Sequence, residues 1–159
     1  MKLIDIDKAR YSAHFKWVFA GIVAALLVIA IGTSATLIPV FGTPGQSNFW
    51  LNLAGVVIAA IVVAITLMKL RPHPFMKEVV YIWDLKQMLN RIYRKQKKIE
   101  AAVEAGDVNA LIVMNFFYRG SKQLYEMDDN LVTMDTLLDK IRVHDRRLAA
   151  AGLPTDTDN

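Results

Sequence analysis

The residues whose type and spacing come closest to a binding site are five bases within eight positions, in the run Arg91–Lys98. Four of them are three or four residues apart, so on a helix they share one face. Near a membrane surface, each such base attracts anionic headgroups by about 1 kcal/mol, within a Debye length. The candidate partner- or lipid-binding residues are Arg91, Tyr93, Arg94, Lys95 and Lys98.

Three interpretations of this basic run stay open. The bases pair with later acids or face water, they contact anionic headgroups, or they bind a protein partner or nucleic acid. The acids available are Glu126, Asp128, Asp129, Asp135 and Asp139. A straight helix continuing from Lys69 would carry Lys98 more than ~40 Å from the membrane, whereas a bend at the prolines 72 and 74 would bring it back. The pattern disfavours nucleic acid as the partner, because Tyr93 is the only aromatic residue among these Lys and Arg residues.

No arrangement typical of catalysis or metal binding occurs in the sequence. The histidines His14, His73 and His144 are far apart, and none has a second ligand at a recognised metal spacing. The acidic run 128–130 lacks the alternating ligands and central glycine of a calcium loop. There is no cysteine, nucleophile elbow or glycine-rich phosphate loop. The sequence therefore predicts a protein that is not an enzyme and has no cofactor.

Two long apolar stretches precede the basic run. Trp17–Ile38 contains 22 residues without a charge, and Phe49–Met68 contains 20. At about 1.5 Å per residue, each helix matches a hydrocarbon core of ~30 Å. Core helices of a soluble protein are disfavoured, because they need not be apolar on every face. A signal peptide cleaved after Ala35 is disfavoured by the length of the run and by acids in the preceding tail.

The charges flanking the two stretches predict their orientation. The connector 39–48 is uncharged and holds two prolines and two glycines, which indicate a turn. Lys8, Arg10 and Lys16 precede the first stretch, whereas Lys69, Arg71 and Lys77 follow the second. The positive-inside rule places both termini in the cytoplasm and the connector outside. The net charge of +4 belongs to these flanks, because residues 99–159 carry eleven acids against six bases.

Helical periodicity continues beyond the second stretch. It predicts helices over Phe75–Ala105, Val108–Met127 and Met134–Ala151, separated by caps at Gly106, Asp107 and Thr133. The apolar face of the first comprises Tyr81, Leu85, Met88, Leu89, Ile92, Ile99 and Val103. The middle helix is apolar over much of its surface and is predicted to be central. It also holds secondary binding candidates, Asn115, Tyr118 and Tyr125, although a hydrogen-bonded core amide is the favoured interpretation of Asn115.

The predicted fold is an all-α membrane protein, a two-helix transmembrane hairpin plus a cytoplasmic three-helix domain. In order, the chain comprises a cytoplasmic amphipathic N-terminal segment (1–16) with Asp7 as helix cap, transmembrane helix 1 (17–38), a short external loop (39–48), transmembrane helix 2 (49–68), a proline-containing hinge (69–74), the cytoplasmic helical domain (75–152) and a flexible tail (153–159). Neither span carries an ionisable residue, which disfavours a pump or a transporter acting alone. Gly and Ala four residues apart would allow close helix packing.

Four stretches resemble a family of uncharacterised proteobacterial two-span inner-membrane proteins, a domain-of-unknown-function family. They are residues 1–8 (MKLIDIDK), 73–81 (HPFMKEVVY), 89–95 (LNRIYRK) and 120–128 (GSKQLYEMD). The resemblance implies a location in the inner membrane of a Gram-negative bacterium. It implies no activity, ligand or catalytic residue.

Three hypotheses about function follow. The first is a non-enzymatic membrane-anchored adaptor or complex-organising protein, able to self-associate, whose cytoplasmic helices bind an unidentified protein. The alternative is an oligomeric small transport or channel component, with Thr33 and Thr36 lining a pore. The third is an enzyme with a site shared between subunits, which would bring Asp128, His144 and Tyr125 together.

Overall fold

The computed structural model describes residues 2–130 and 132–157, and the regular secondary structure of this part of the chain is all helical. The helices are α1 (Lys8–Phe41), α2 (Phe49–Leu70), α3 (Lys77–Tyr93), α4 (Gln96–Glu104), α5 (Val108–Met127) and α6 (Met134–Ala150). A 3-10 turn, Pro74–Met76, precedes α3. No strand occurs among the described residues, and the predicted all-α fold is confirmed.

The chain divides into two compact units. The hairpin unit comprises Ser12–Val79, and the helical unit combines Val80 onwards with the N-terminal residues up to Tyr11. Residues 2–7 are not helical and belong to the helical unit. The sequence predicted only that they lead into the first span, so their attachment to the later helices is a finding of the structure.

A closed set of hydrogen bonds attaches the N-terminal residues to the helical unit. The Ile4 amide donates to Tyr81 Oη at 2.9 Å, and Tyr81 Oη donates to Gln123 Oε1 at 2.9 Å. Gln123 Nε2 then donates to the Ile4 carbonyl at 2.7 Å. Burial raises the pKa of Tyr81, so its hydroxyl keeps the proton that it donates. This set joins the N-terminal segment, α3 and α5.

Helix α1 is longer than the span predicted within it. Its 34 residues begin just after Asp7, whose Oδ1 accepts a hydrogen bond from the Arg10 amide at 2.9 Å. The predicted cap at Asp7 is therefore confirmed, and the polar residues before Trp17 extend the same helix. At the other end α1 continues through Pro39, so that only residues 42–48 connect it to α2.

The helices of the hairpin cross closely at one glycine. Gly55, Ala59 and Val63 are the buried residues of α2, and they are spaced four apart. A Cβ atom built on Gly55 would lie 2.5 Å from Ser34 Oγ and 2.9 Å from the Ala30 carbonyl oxygen. Only a glycine allows this approach, in the manner of small-residue contacts between membrane helices.

Proline ends the hairpin. Helix α2 stops at Leu70, and the chain then passes through Pro72, His73 and Pro74, which cannot continue a regular helix. His73 Nδ1 accepts a hydrogen bond from the Phe75 amide at 3.2 Å and so caps the 3-10 turn. The predicted interruption of the helix is therefore present in the structure.

The prediction of one helix over Phe75–Ala105 is wrong, because the chain breaks between α3 and α4. At the break, the Lys95 amide donates to the Ile92 carbonyl at 2.9 Å, which is a tighter turn than the α-helix makes. No proline or glycine marks the break in the sequence. Its physical reason lies in packing, because α4 turns Val103 into a cluster with Leu111, Met114 and Leu148.

The apolar face of α3 also differs from the prediction. Ile82, absent from the predicted face, is one of the most buried side chains, whereas Met88 is 41% exposed. A Cβ atom built on Gly120 of α5 would lie 3.1 Å from the Leu89 side chain, so α3 packs closely on α5. Since α5 also contacts α4 and α6, the prediction that it is the central helix is confirmed.

The ends of the later helices follow local signals. Asp107 Oδ1 accepts a hydrogen bond from the Ala110 amide at 3.0 Å, and Gly106 has a φ of +81°. Thr133 occupies the cap position of α6, but its side chain makes no capping hydrogen bond. The predicted flexible tail starts at residue 153, yet Leu153 packs against the core cluster; residues 158–159 lie outside the described residues.

We expect Gly55→Ala to destabilise the hairpin, because its methyl group would overlap the backbone of α1, and overpacking costs about 1–3 kcal/mol. Gly32→Ala is the matched control, since a Cβ atom there has open space and alanine is the better helix former by ~1 kcal/mol. Thermal unfolding of both purified variants in one detergent measures the difference. Equal stability of the two would contradict the close crossing.

Candidate functional site

The five bases of the basic run form an exposed surface, which we call the basic patch: Arg91, Arg94, Lys95, Lys97 and Lys98. They lie across the break between α3 and α4, so they do not form the single straight helical face that the sequence predicts. Tyr93, within the same run, is 65% exposed. Within residues 2–130 and 132–157, none of the five bases makes an ion pair.

Four of the five acids that the sequence offers as partners for these bases, all except Asp135, pair with other cations. The ion pairs are Asp128 with Lys86 at 2.8 Å, Asp129 with Lys8, Glu126 with Lys122 at 3.5 Å, and Asp139 with Arg142 at 3.1 Å. Each of these acids thus has a cation from outside the basic patch. The structure therefore disfavours pairing of the patch with these four acids, and it leaves open bases that face water, contact headgroups or bind a partner.

Trp83 extends the same exposed surface along α3. It is 63% exposed, and it lies on one helix face with Arg91 and Arg94 at about 100° per residue. The apolar periodicity of the sequence does not mark Trp83, because this residue lies outside the apolar face of the helix. The signal that could have found it is a large aromatic residue on the polar side of an amphipathic helix.

Asn115 is a core amide, as its favoured interpretation predicted. Its Nδ2 donates to the carbonyls of Thr155 and Asp156 at 3.1 and 2.8 Å. Its Oδ1 accepts from Arg119 Nε at 2.8 Å, and Arg119 Nη2 donates to Asp145 Oδ1 at 2.7 Å. These bonds join the C-terminal residues to α5 and α6, which assigns Asn115 a structural role.

Tyr118 and His144 line a groove of about 400 Å³ on the helical unit, together with Glu100, Glu104, Thr136, Asp139, Lys140, Val143 and Arg147. His144 is buried, and its Nε2 donates to the Leu111 carbonyl at 2.9 Å. Burial lowers the pKa of His144, and burial followed by the charge of Glu100 raises the pKa of Tyr118. Asp128 and Tyr125 do not line this groove, so the constellation expected of a shared enzyme site is not assembled within it.

No group of three or more potential ligands that could hold a metal ion occurs among the described residues. The acids closest in sequence to His144 do not form a cluster with it: Asp145 binds Arg119, and Asp139 pairs with Arg142. The groove therefore has side chains of both charges and no converging set of metal ligands.

A buried polar pair lies at the end of the hairpin that carries the cations. His14 Nδ1 of α1 is 3.2 Å from Glu78 Oε2 in the first turn of α3, and both side chains are largely shielded from solvent. The His14 ring also stacks on Phe75, with ring centroids 4.1 Å apart. The pair leaves no signal in the sequence, because its members are 64 residues apart and neither belongs to a motif.

These features define an all-helical protein with two helices long and apolar enough to span a membrane and a separate helical unit with a basic surface. A family model, Protein of unknown function (DUF3087), matches residues 1–159. The chain belongs to this family, and the expected resemblance to a domain-of-unknown-function family is confirmed. No curated protein and no solved structure matches the chain.

We expect the helical unit to lose stability as the pH falls below the ordinary His pKa of ~6.5. The folded pKa of His144 is lowered, so the unfolded chain binds the proton first. Neutral His144 contributes fully to the free energy of unfolding above the pKa that it has in the unfolded chain. This contribution is lost as the pH falls through the lower pKa that His144 has in the folded protein.

His144→Gln tests this expectation, because glutamine keeps a donor for the Leu111 carbonyl but does not titrate. Hydrogen exchange of α5 and α6 amides at about pH 5 and pH 7.5 should show a smaller pH effect in this variant than in the wild type. His73→Gln is the control and should behave like the wild type. An unchanged pH effect in His144→Gln would contradict the assignment.

Proposed function

We propose that this chain is an integral, multi-pass protein of the bacterial inner membrane, with α1 and α2 crossing the bilayer and both termini in the cytoplasm. We infer further that it has no enzymatic activity of its own. Its cytoplasmic helices bind a protein partner, and the protein serves as a membrane-anchored adaptor or complex-organising protein.

The exposed apolar surface of the hairpin supports membrane insertion. The most apolar stretch of α1 buries none of its residues within the structure, and that of α2 buries 17%. A core helix of a soluble protein would bury such a surface. Trp17 and Trp50, at the N-terminal ends of the two apolar stretches, are 73% and 75% exposed, as expected of aromatic residues at a membrane interface.

The distribution of charge supports the cytoplasmic orientation. The hairpin unit contains four bases and one acid, and all five flank the apolar stretches on the side away from the α1–α2 connector. The connector, residues 42–48, carries no charge. A segment that lacks lysine and arginine crosses the membrane readily, whereas basic flanks stay in the cytoplasm.

The observation that carries the adaptor function is the basic patch, which is exposed and lacks ion pairs among the described residues. With Trp83 on the same side of α3, it combines arginine and an exposed aromatic side chain. These residue types are enriched among those that dominate protein interfaces. The charges favour a partner with an acidic surface.

The channel alternative has weaker support from the side chains of the hairpin. Thr36 Oγ1 donates to the Thr33 carbonyl and Thr66 Oγ1 to the Val62 carbonyl, each at 2.8 Å. Hydroxyl groups bonded to their own helix are poorly placed to line a pore. Self-association of hairpins is compatible with either function.

The partner can be sought by crosslinking in native membranes, extraction in mild detergent and mass spectrometry. The test variant changes Arg91, Arg94, Lys95 and Lys98 to Glu. The control changes Lys140, Arg142, Arg146 and Arg147 of α6 to Glu, which alters the net charge equally.

We expect a specific acidic protein to co-purify with the wild type and the control and to be lost from the test variant. Loss from both variants would mean that net charge, rather than the basic patch, recruits it. Recovery of a symmetric oligomer alone, unaffected by the changes, would contradict the adaptor function and would favour the channel.

A further inference from the structure

A groove of about 430 Å³ opens between α1 and α2 within the hairpin unit. One wall is formed by α1 from Trp17 to Ile29, and the other by α2 from Val62 to Leu70. Phe75 and Met76 of the 3-10 turn, with His73, close one end. The volume is in the range of about 300–1,000 Å³ that is typical of small-molecule sites.

The groove results from the way the hairpin is held at its two ends. Around Gly55 the two backbones are close enough that a single added methyl group would overlap Ala30 and Ser34. Towards the other end the 3-10 turn lies at the hairpin, and the pair between His14 and Glu78 attaches α1 to the first turn of α3. The helices therefore leave a space between residues 17–29 and 62–70.

The interior of this groove suits a hydrocarbon chain. Its walls are aliphatic and aromatic apart from Thr66 and His73. Both side chains make hydrogen bonds to the nearby backbone: Thr66 Oγ1 donates to the Val62 carbonyl, and His73 Nδ1 accepts from the Phe75 amide. The α1 wall from Trp17 to Ile29 is about 18 Å long at 1.5 Å per residue.

The closed end of the groove is bordered by positive charge. Lys69 precedes the lining residue Leu70, and Lys77 follows the lining residue Met76, whereas Lys16 lies on the face of α1 opposite the lining residues at about 100° per residue. All three lysines are exposed. The one acid of the hairpin unit, Glu78, is buried against His14. An apolar groove with cations at one end is complementary to a molecule with an apolar chain and an anionic headgroup.

We propose that the groove binds one acyl chain of an anionic phospholipid, with the phosphate against Lys69 and Lys77. This inference rests on the membrane insertion proposed above. The alternative occupant is a helix from a second copy of the chain. Copies in one membrane share their orientation, so a second copy would bring its own basic end to the same place, where like charges repel.

The lipid headgroup must provide the selectivity. A lipid chain leaves one apolar environment for another when it enters the groove, so only packing is gained there. Attraction between the phosphate and the lysines is worth about 1 kcal/mol for each base near the surface. We therefore expect anionic lipids to bind more tightly than zwitterionic lipids with the same chains.

The first test fills the groove. Gly21 lines it and a Cβ atom there has open space, so Gly21→Leu places a side chain in the groove without a backbone clash. Gly32→Leu is the matched control, because Gly32 also has open space but does not line the groove. Ala25→Leu, at a residue that lines the groove, and Ala24→Leu, at a neighbour that does not, form a second pair of test and control.

Native mass spectrometry of the full chain, released from nanodiscs of phosphatidylglycerol or of phosphatidylcholine, gives the readout. We expect one retained phosphatidylglycerol on the wild type, Gly32→Leu and Ala24→Leu. Retention should fall about tenfold in Gly21→Leu and Ala25→Leu, which corresponds to ~1.4 kcal/mol. The double change Lys69→Gln with Lys77→Gln should abolish the preference for phosphatidylglycerol, whereas Lys140→Gln with Arg146→Gln, both on α6, should keep it.

Two results would overturn the proposal. A dimer of the wild type that is lost in Gly21→Leu would assign the groove to a second copy of the chain. Equal lipid retention in Gly21→Leu and Gly32→Leu would show that the lipid binds elsewhere. Carbonate extraction of the cell membranes that contain the chain tests the proposed function separately. A chain that is not inserted would leave the membrane fraction, whereas a chain that is inserted but binds no lipid in the groove would stay in it.

Discussion

The constraint on which the rest of this structure depends is that the α1–α2 hairpin exposes apolar side chains on nearly all of its outer surface. The close contact at Gly55 buries a narrow strip of α2, Gly55, Ala59 and Val63, whereas the most apolar stretch of α1 buries none of its residues. In water such a surface is very unfavourable, whereas in a bilayer it is required, and the helical backbone satisfies its own hydrogen bonds there. The proposed membrane insertion would reconcile the sequence of the hairpin with its fold.

Within each of the two units, polar contacts join segments that are far apart in the sequence. The buried pair of His14 and Glu78 fixes α1 to the start of α3 within the hairpin unit. Within the helical unit, the cycle of Ile4, Tyr81 and Gln123 does the same for the N-terminal segment. A buried polar pair is costly if one partner is removed, so these contacts specify an arrangement more than they add stability. The two surfaces that we propose to bind ligands are the apolar groove between α1 and α2 and the basic patch.

The features that could be predicted from the sequence depend on local signals. Helix α5 has the predicted bounds because Asp107 and Gly106 mark its start and a change in polarity marks its end. The break between α3 and α4 could not be predicted, since it serves the packing of Val103 and no residue there disfavours a helix. The pair of His14 and Glu78 and the groove beside it depend on contacts across 64 residues. The basic run could be recognised in the sequence, but its division between α3 and α4 and its lack of ion pairs among the described residues depend on the fold and on where distant acids lie.

The most direct test of the central claim is the membrane topology of the full chain in cells. The sequence contains no cysteine, so single changes Gln46→Cys in the connector and Lys97→Cys in α4 give unambiguous sites for a membrane-impermeant maleimide. Insertion with cytoplasmic termini predicts that Gln46→Cys is labelled in cells with a permeabilised outer membrane, and that Lys97→Cys is labelled only after the inner membrane is opened. Labelling of both positions in intact spheroplasts, or of Lys97→Cys alone, would contradict it.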